Sequence, residues 1–380
     1  MLHLFKTLSL FIGLATFSLN ASAQTVVKPS DKNIQYIGRV SFKNPESPAW
    51  NYTGTTIRVN FSGTSLKMIC KPESGYFMAK IDKSEAFKVA FTGKNDSIAT
   101  LAVALPKGKH SAEIMYCIEG HDNNPEFRGF ILDKDAQTLE PTALPKRKIE
   151  YIGNSITCAY GVEDTNPNNH FDIATENHYL SYAAITARNL NAQHFSISRS
   201  GIGIYRHYGS SKKGSEVCMP KQYEYTRIYD KSEMWDFSLY QPDVVCVNLG
   251  TNDTSPDLET PVSNTQDHNP NAQRPMGCDE ILLKAGYKSF LKTLRSKYPK
   301  AKIVFLCGSM LNGDGLKLIS NTLDEVVKEA KKDGDKQVYR FNFTPQTGSL
   351  GYGADWHPSI AQQQLMADEL TPYLKKLMKW

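Results

Sequence analysis

The sequence predicts two domains in series, an antiparallel β-sandwich followed by a parallel α/β domain. Two observations carry that reading. Residues 26–140 form short alternating, β-branched runs broken by Gly, Pro, Asn and Asp, whereas from Ile149 onward strand-like runs alternate with long helical stretches. The proline-marked stretch "LEPTALPKRK" separates the two patterns, because Pro141 and Pro145 cannot join a central strand.

The first residues, "MLHLFKTLSLFIGLATFSLNASAQ", place Lys6 before an apolar run from Leu8 to Leu19 and then Ala21-Ser22-Ala23. That run is shorter than the roughly 20 apolar residues a membrane span needs. A basic start, a short apolar core and an A-x-A site read as a secretory signal over residues 1–23, cleaved after Ala23. Gln24 would then begin a mature, exported chain, periplasmic or extracellular, with no membrane span.

Residues 24–140 supply the sandwich. "TTIRVNFSG", "SLKMICKP", "GYFMAKID", "FKVAFTG", "SIATLAVALP", "HSAEIMYCIEG" and "FRGFILD" recur with turn residues between them, and no helical run interrupts them. Residues 141–148 are expected to be a linker, with Lys146, Arg147 and Lys148 as its solvated end. The net charge of +5 is spread among acids, which leaves no nucleic-acid footprint. An odd count of 7 cysteines without a C-x-x-C pair is no disulfide framework. Cys246 and Cys307 read as core thiols, while Cys218 and Cys278 fall in loop-like segments and could pair.

Residues 149–380 supply the second domain. Its strands are "IEYIG", "AQHFSIS", "DVVCVNLG", "KIVFLCG" and "QVYRFNF"; its helices are "ENHYLSYAAITARNL", "DEILLKAGYKSFLKTLRSKYP", "LISNTLDEVVKEAKKDG" and "IAQQQLMADELTPYLKKLMKW". This alternation implies a parallel sheet covered on both faces, whose working site lies beyond the carboxyl ends of the strands.

Those ends are chemically rich. The first strand delivers Gly153-Asn154-Ser155, the second Ser200-Gly201-Ile202-Gly203, the third Gly250-Thr251-Asn252-Asp253, and "GYGADWHPS" precedes the last helix. A serine hydroxyl needs an adjacent base, and Ser155 with His357 supplies that pair. An oxyanion needs preorganised donors, for which the Ser155 and Gly201 N–H groups and the Asn252 amide are available. Each segment alone has a plain structural use: a helix cap, an Asx turn, a surface histidine. Four of them at successive strand ends point instead to nucleophilic ester chemistry.

The order GNS, SG, GTND, DWHP resembles the SGNH or GDSL-type hydrolase superfamily. "RKIEYIGNSITCAYG", "SISRSGIGIYRHY", "LGTND", "GADWHPS" and the sandwich stretch "MYCIEGHDNNPEFRGFILD" look more narrowly like carbohydrate esterase family 2, a resemblance covering nearly the whole chain after residue 23. It implies an N-terminal jelly roll on a three-layer α/β/α hydrolase of flavodoxin-like order that removes acetyl groups from sugars of xylan or glucomannan type. It puts the nucleophile at Ser155, the base at His357 and the oxyanion donors at Ser155, Gly201 and Asn252. Asn154 stands where many relatives carry aspartate. The superfamily's acid stands three residues before the histidine, but here Ala354 occupies that place and Asp355 stands two before, so Asp355 is an open third member. The resemblance implies an alternative, a Ser-His dyad with a backbone carbonyl orienting the imidazole.

Trp356 is a candidate sugar platform, the alternative being a core tryptophan, and Tyr205 and Tyr208 are candidates for the facing wall. The insertion "TSPDLETPVSNTQDHNPNAQRPMGCDE" contains His268 but no second ligand at metal spacing, so neither a metal nor another cofactor is expected. The expected partner is an acetylated carbohydrate and the expected state a monomer. Two other functions fit the blocks: a lipase- or thioesterase-like hydrolase on another short acyl ester, and a non-catalytic sugar-binding protein.

Overall fold

The computed structural model describes residues 24–259 and 276–380. The expected secretory signal over residues 1–23 and His268 lie outside the described residues. Ten strands come first: β1 (Thr25–Val27), β2 (Ile34–Ile37), β3 (Thr56–Gly63), β4 (Leu66–Cys70) and β5 (Gly75–Ile81), then β6 (Phe87–Phe91), β7 (Ile98–Ala102), β8 (Gly108–Tyr116), β9 (Phe127–Leu132) and β10 (Thr138–Leu139). They form two antiparallel sheets, ordered β1-β9-β4-β7 and β10-β3-β8-β5-β6, with β2 added on β3. Alternation dictates the packing: β5 buries Phe77, Ala79 and Ile81 and leaves the residues between them half-buried. The inward side chains of both sheets, Leu66 and Met68 against Ile57, Phe61, Phe77 and Ile114, share one apolar core.

The second region is a five-stranded parallel sheet: β11 (Arg147–Gly153), β12 (Ala192–Ser198), β13 (Val244–Asn248), β14 (Lys302–Cys307) and β15 (Val338–Asn342). Its order, β12-β11-β13-β14-β15, is the flavodoxin-like 2-1-3-4-5 arrangement. Among the described residues six helices follow or link these strands: α1 (Ser155–Cys158), α2 (Tyr182–Asn189), α3 (Met219–Gln222), α4 (Glu280–Lys297), α5 (Gly313–Lys332) and α6 (Ile360–Met378). Val244 and Cys246 on one face of the sheet join residues of α2 and α6, while Val245 and Val247 on the other join α4 and α5, which makes three layers.

Two expectations need correcting. β11 begins at Arg147, so the last residues of the expected linker are already strand, held by a bond from Lys148 N–H to Asp243. The stretch expected to be a helix over 176–190 is helical only at Tyr182–Asn189, after a single turn at His178–Leu180. Asn177 caps that turn and Ser181 caps α2, so two polar caps restart the helix.

Polar groups buried between the sandwich and the parallel sheet join the two regions. Arg39 is fully buried, hydrogen-bonded to the carbonyls of Tyr223 and Tyr225 and 3.8 Å from Glu150. Asn51 bonds both the N–H and the carbonyl of Ile228, at 2.9 and 3.1 Å. His178 and His194 meet through their Nε2 atoms at 3.1 Å, and the His178 N–H donates to the Cys117 carbonyl at 2.9 Å.

Candidate active site

Ser155 is the first residue of α1, directly beyond the end of β11, so its N–H has no partner within the helix. Asn154 caps that helix through a side-chain oxygen that accepts the Ile156 N–H at 3.1 Å. An aspartate would offer the same oxygen, which explains why asparagine serves here.

The Ser155 hydroxyl lies 2.9 Å from His357 Nε2. The other imidazole nitrogen, Nδ1, lies 3.1 Å from the Ala354 carbonyl, which also accepts the His357 main-chain N–H at 3.0 Å. A carbonyl can only accept, so Nδ1 carries the hydrogen and Nε2 is left as the acceptor for the serine proton. Pro358 keeps His357 extended, at ψ 165°, and Asp355 and Trp356 both adopt left-handed backbone, with φ 49° and 61°. Such geometry in non-glycine residues costs on the order of 1 kcal/mol each; here it turns the Ala354 carbonyl back onto the imidazole. Ala354 itself is fully buried against Gly161, whose left-handed φ of 55° and close approach leave no room for a side chain, since a Cβ there would lie 2.5 Å from that of Ala354.

Asp355 does not reach the imidazole. Its carboxylate accepts from the Tyr160 hydroxyl at 2.6 Å, from His170 Nδ1 at 3.0 Å and from the Phe171 N–H at 3.1 Å. Burial raises its pKa, but the Tyr160 and His170 bonds outweigh that and hold it below the usual range. The Tyr160 ring, so anchored, stacks on His357 with centroids 4.1 Å apart and on Phe171 at 4.4 Å. Burial drives the His357 pKa down to about 4, against the opposing pull of the Ala354 carbonyl and the Asp355 charge. The imidazole is therefore neutral, the form a general base requires.

The second and third blocks follow β12 and β13, the two strands that flank β11. Gly201 has φ 77°, and a Cβ there would lie 2.5 Å from His207 Nε2, so the loop needs glycine. Asn252 is buried and gives one amide hydrogen to the Ile202 carbonyl at 2.8 Å, which leaves its second available. Asp253 is fully buried and accepts the N–H groups of Ile204, Tyr205 and Arg206 at 2.9, 2.9 and 3.2 Å. This carboxylate binds the second block to the third.

The aromatic candidates divide. Trp356 is 53% exposed, in edge contact with Tyr352, and does not lie in the core. Tyr208 is half-exposed and lines a groove of about 580 Å³ with Arg199, His207, Ser210, Tyr229 and Leu258. Tyr205 is a correction: it is buried in the core, and its hydroxyl accepts the Asp279 N–H ahead of α4 at 2.9 Å, so it forms no wall of the cleft. Cys218 and Cys278 both carry free thiols. Among the described residues no helix is long and apolar enough to cross a membrane. The orienting backbone carbonyl expected for a Ser-His dyad is that of Ala354, whereas sequence reasoning missed Tyr160 and Asp253 as contributors; a signal for Tyr160 existed in "ITCAYG", an aromatic shortly after the nucleophile.

Comparison with known proteins gives the family. Residues 36–141 match the carbohydrate esterase 2 N-terminal family, and residues 151–365, more than half of the chain, match the GDSL-like lipase/acylhydrolase family. A family two carbohydrate esterase from Clostridium thermocellum, solved with cellohexaose, superposes with a TM-score of 0.79 at 38% identity over 91% of this chain and 99% of that one. The chain belongs to carbohydrate esterase family 2. Within that family it is 38% identical over 357 residues to the cellulase/esterase CelE of Acetivibrio thermocellus, of whose length it spans 40%. It is 26% identical over 372 residues to an acetylxylan esterase / glucomannan deacetylase of Cellvibrio japonicus, covering 94% of that protein. The two-part fold of this family 2 member therefore matches its relatives from the sandwich through to the last helix.

Proposed function

We propose that this protein is an exported carbohydrate O-acetyl esterase that removes acetyl groups from xylan- or glucomannan-type glycans, with residues 24–140 and 147–380 as its two domains. The observation that carries the reading is the Ser155 hydroxyl 2.9 Å from His357 Nε2 while Nδ1 is held by a carbonyl. The name of the Cellvibrio japonicus relative, acetylxylan esterase / glucomannan deacetylase, supports the substrate class. The leader over residues 1–23 supports export.

In this reading the Ser155 proton passes to His357 Nε2 as Oγ bonds to the acetyl carbon. The carbonyl oxygen becomes an oxyanion that receives hydrogen bonds from the Ser155 and Gly201 N–H groups and the free amide hydrogen of Asn252. The imidazolium returns its proton to the departing sugar oxygen as the C–O bond breaks, leaving acetyl-Ser155. Water, deprotonated by His357, then releases acetate and restores the hydroxyl. Trp356 and Tyr208, both exposed beside these residues, offer faces on which pyranose rings stack.

The test is acetate release from acetylated xylan, glucomannan and pectin, with Ser155→Ala as control. Release from xylan or glucomannan, abolished in Ser155→Ala, is expected. No release from any of the three would defeat the substrate assignment. Faster cleavage of long-chain than of short-chain p-nitrophenyl esters would favour a lipase-like enzyme.

A further inference from the structure

One buried acidic pair takes no part in the proton transfers just described. Glu119 belongs to the sandwich, just beyond β8, yet its carboxylate crosses to the parallel region and accepts the Ser200 N–H at 2.5 Å. Its own main-chain N–H donates to Glu176 at 3.0 Å. Glu119, Glu176 and the Cys158 thiol are all buried, with their polar atoms within 4.8 Å of one another.

Two carboxyls this close in a buried site cannot both be ionised. Burial first, and the Glu119 charge second, hold Glu176 well above the usual carboxylate range. Glu176 thus keeps its proton, and a Glu119 carboxylate oxygen accepts the Ser200 N–H. The next residue along is Gly201, whose carbonyl is in turn fixed by the Tyr208 N–H at 2.8 Å. Arg199, on the other side of Ser200, donates to His207 Nε2 at 3.0 Å, and His207 lies against Gly201.

We propose that Glu119 is a positioning residue through which the sandwich domain sets the oxyanion site: its carboxylate pins Ser200, so that the following N–H, that of Gly201, points at the developing oxyanion. This rests on the acyl-transfer reading of Ser155 and His357. It gives the sandwich a part in turnover as well as in stability. Removing one oxyanion donor costs about 10²–10³ in kcat, and displacing one sits at the lower end of that range.

The test compares Glu119→Ala and Glu119→Gln with the wild-type full chain on p-nitrophenyl acetate. Glu119→Ala is expected to lower kcat roughly 100-fold with KM within about two-fold, and Glu119→Gln, which keeps an accepting oxygen, only about 10-fold. Affinity for a tetrahedral phosphonate mimic should fall in the same order, while affinity for the product sugar stays level. If Glu119→Ala does not fold, the phosphonate affinity of Glu119→Gln decides the matter: it must fall while sugar affinity holds. Wild-type kcat in both variants, or equal losses of phosphonate and sugar affinity, would overturn the proposal. So would a stoichiometric metal ion in the wild-type protein that is lost in Glu119→Gln, since the cluster would then be a cation site. A wild-type chain that neither cleaves the ester nor is labelled at Ser155 by the phosphonate would defeat the acyl-transfer reading instead.

Discussion

Replacing Asp355 by asparagine separates a carboxylate that takes part in catalysis from one that braces the turn. Where a side-chain carboxylate sets the histidine tautomer, this swap costs about 10⁴ in kcat. Here the tautomer is set by the Ala354 carbonyl at 3.1 Å, and Asp355 instead binds Tyr160, His170 and the Phe171 N–H. Asparagine keeps one accepting oxygen and removes the charge. The difference between a charged and a neutral hydrogen bond is about 1–2 kcal/mol. With the Asp355 side chain 32% exposed, solvent screening brings that to about 1 kcal/mol, and only part of it reaches the barrier. Asp355→Asn should therefore lower kcat less than about 10-fold. His357→Ala removes the base itself and should cost on the order of 10⁴-fold or more. Initial rates of acetate release under saturating substrate compare the two. Equal losses in both variants would refute the backbone-oriented dyad.

With a His357 pKa of about 4, kcat/KM should stay level from pH 7 to about pH 5 and fall below that as the base is protonated; an acid limb near 6.5, the ordinary histidine value, would contradict this. Stability follows the same direction for a different reason. The His178 pKa is lowered to about 4 by burial, so its contribution is complete above about pH 6.5 and declines as pH falls towards 4; urea midpoints at pH 7 and pH 5 would record the drop. Arg39→Met should cost about 3–5 kcal/mol in urea unfolding, because it strands the buried Glu150. Arg39→Met with Glu150→Gln should recover most of that, and a single variant no less stable than wild type would refute the pairing.

Much of the fold was legible because each half obeys one period. β13 reads as the continuous apolar run "VVCV" since both its faces are covered, and β5 alternates because one face is buried and the other is not. The strand-end residues stood out for a related reason, since small polar groups after an apolar run have few structural uses. Other features depend on contacts that no local pattern encodes. Tyr205 looked like a loop aromatic, but the Asp253 carboxylate, 48 residues away, draws its backbone inward. Glu119 meets Ser200 across 81 residues and two domains. The group that orients the histidine is a main-chain oxygen, which every residue possesses and no letter marks.

That last feature reverses what tolerance to mutation would be expected around the base. No substitution at position 354 can delete a carbonyl, so the orienting bond is safe from loss of a functional group but exposed to any change of shape. Ala354 is sealed against Gly161, where even one added carbon would meet its side chain at 2.5 Å. A larger residue at either position would shift the turn, and with it the imidazole. The conspicuous acid beside the histidine can lose its charge at small cost, whereas the inconspicuous alanine and glycine cannot gain a side-chain atom.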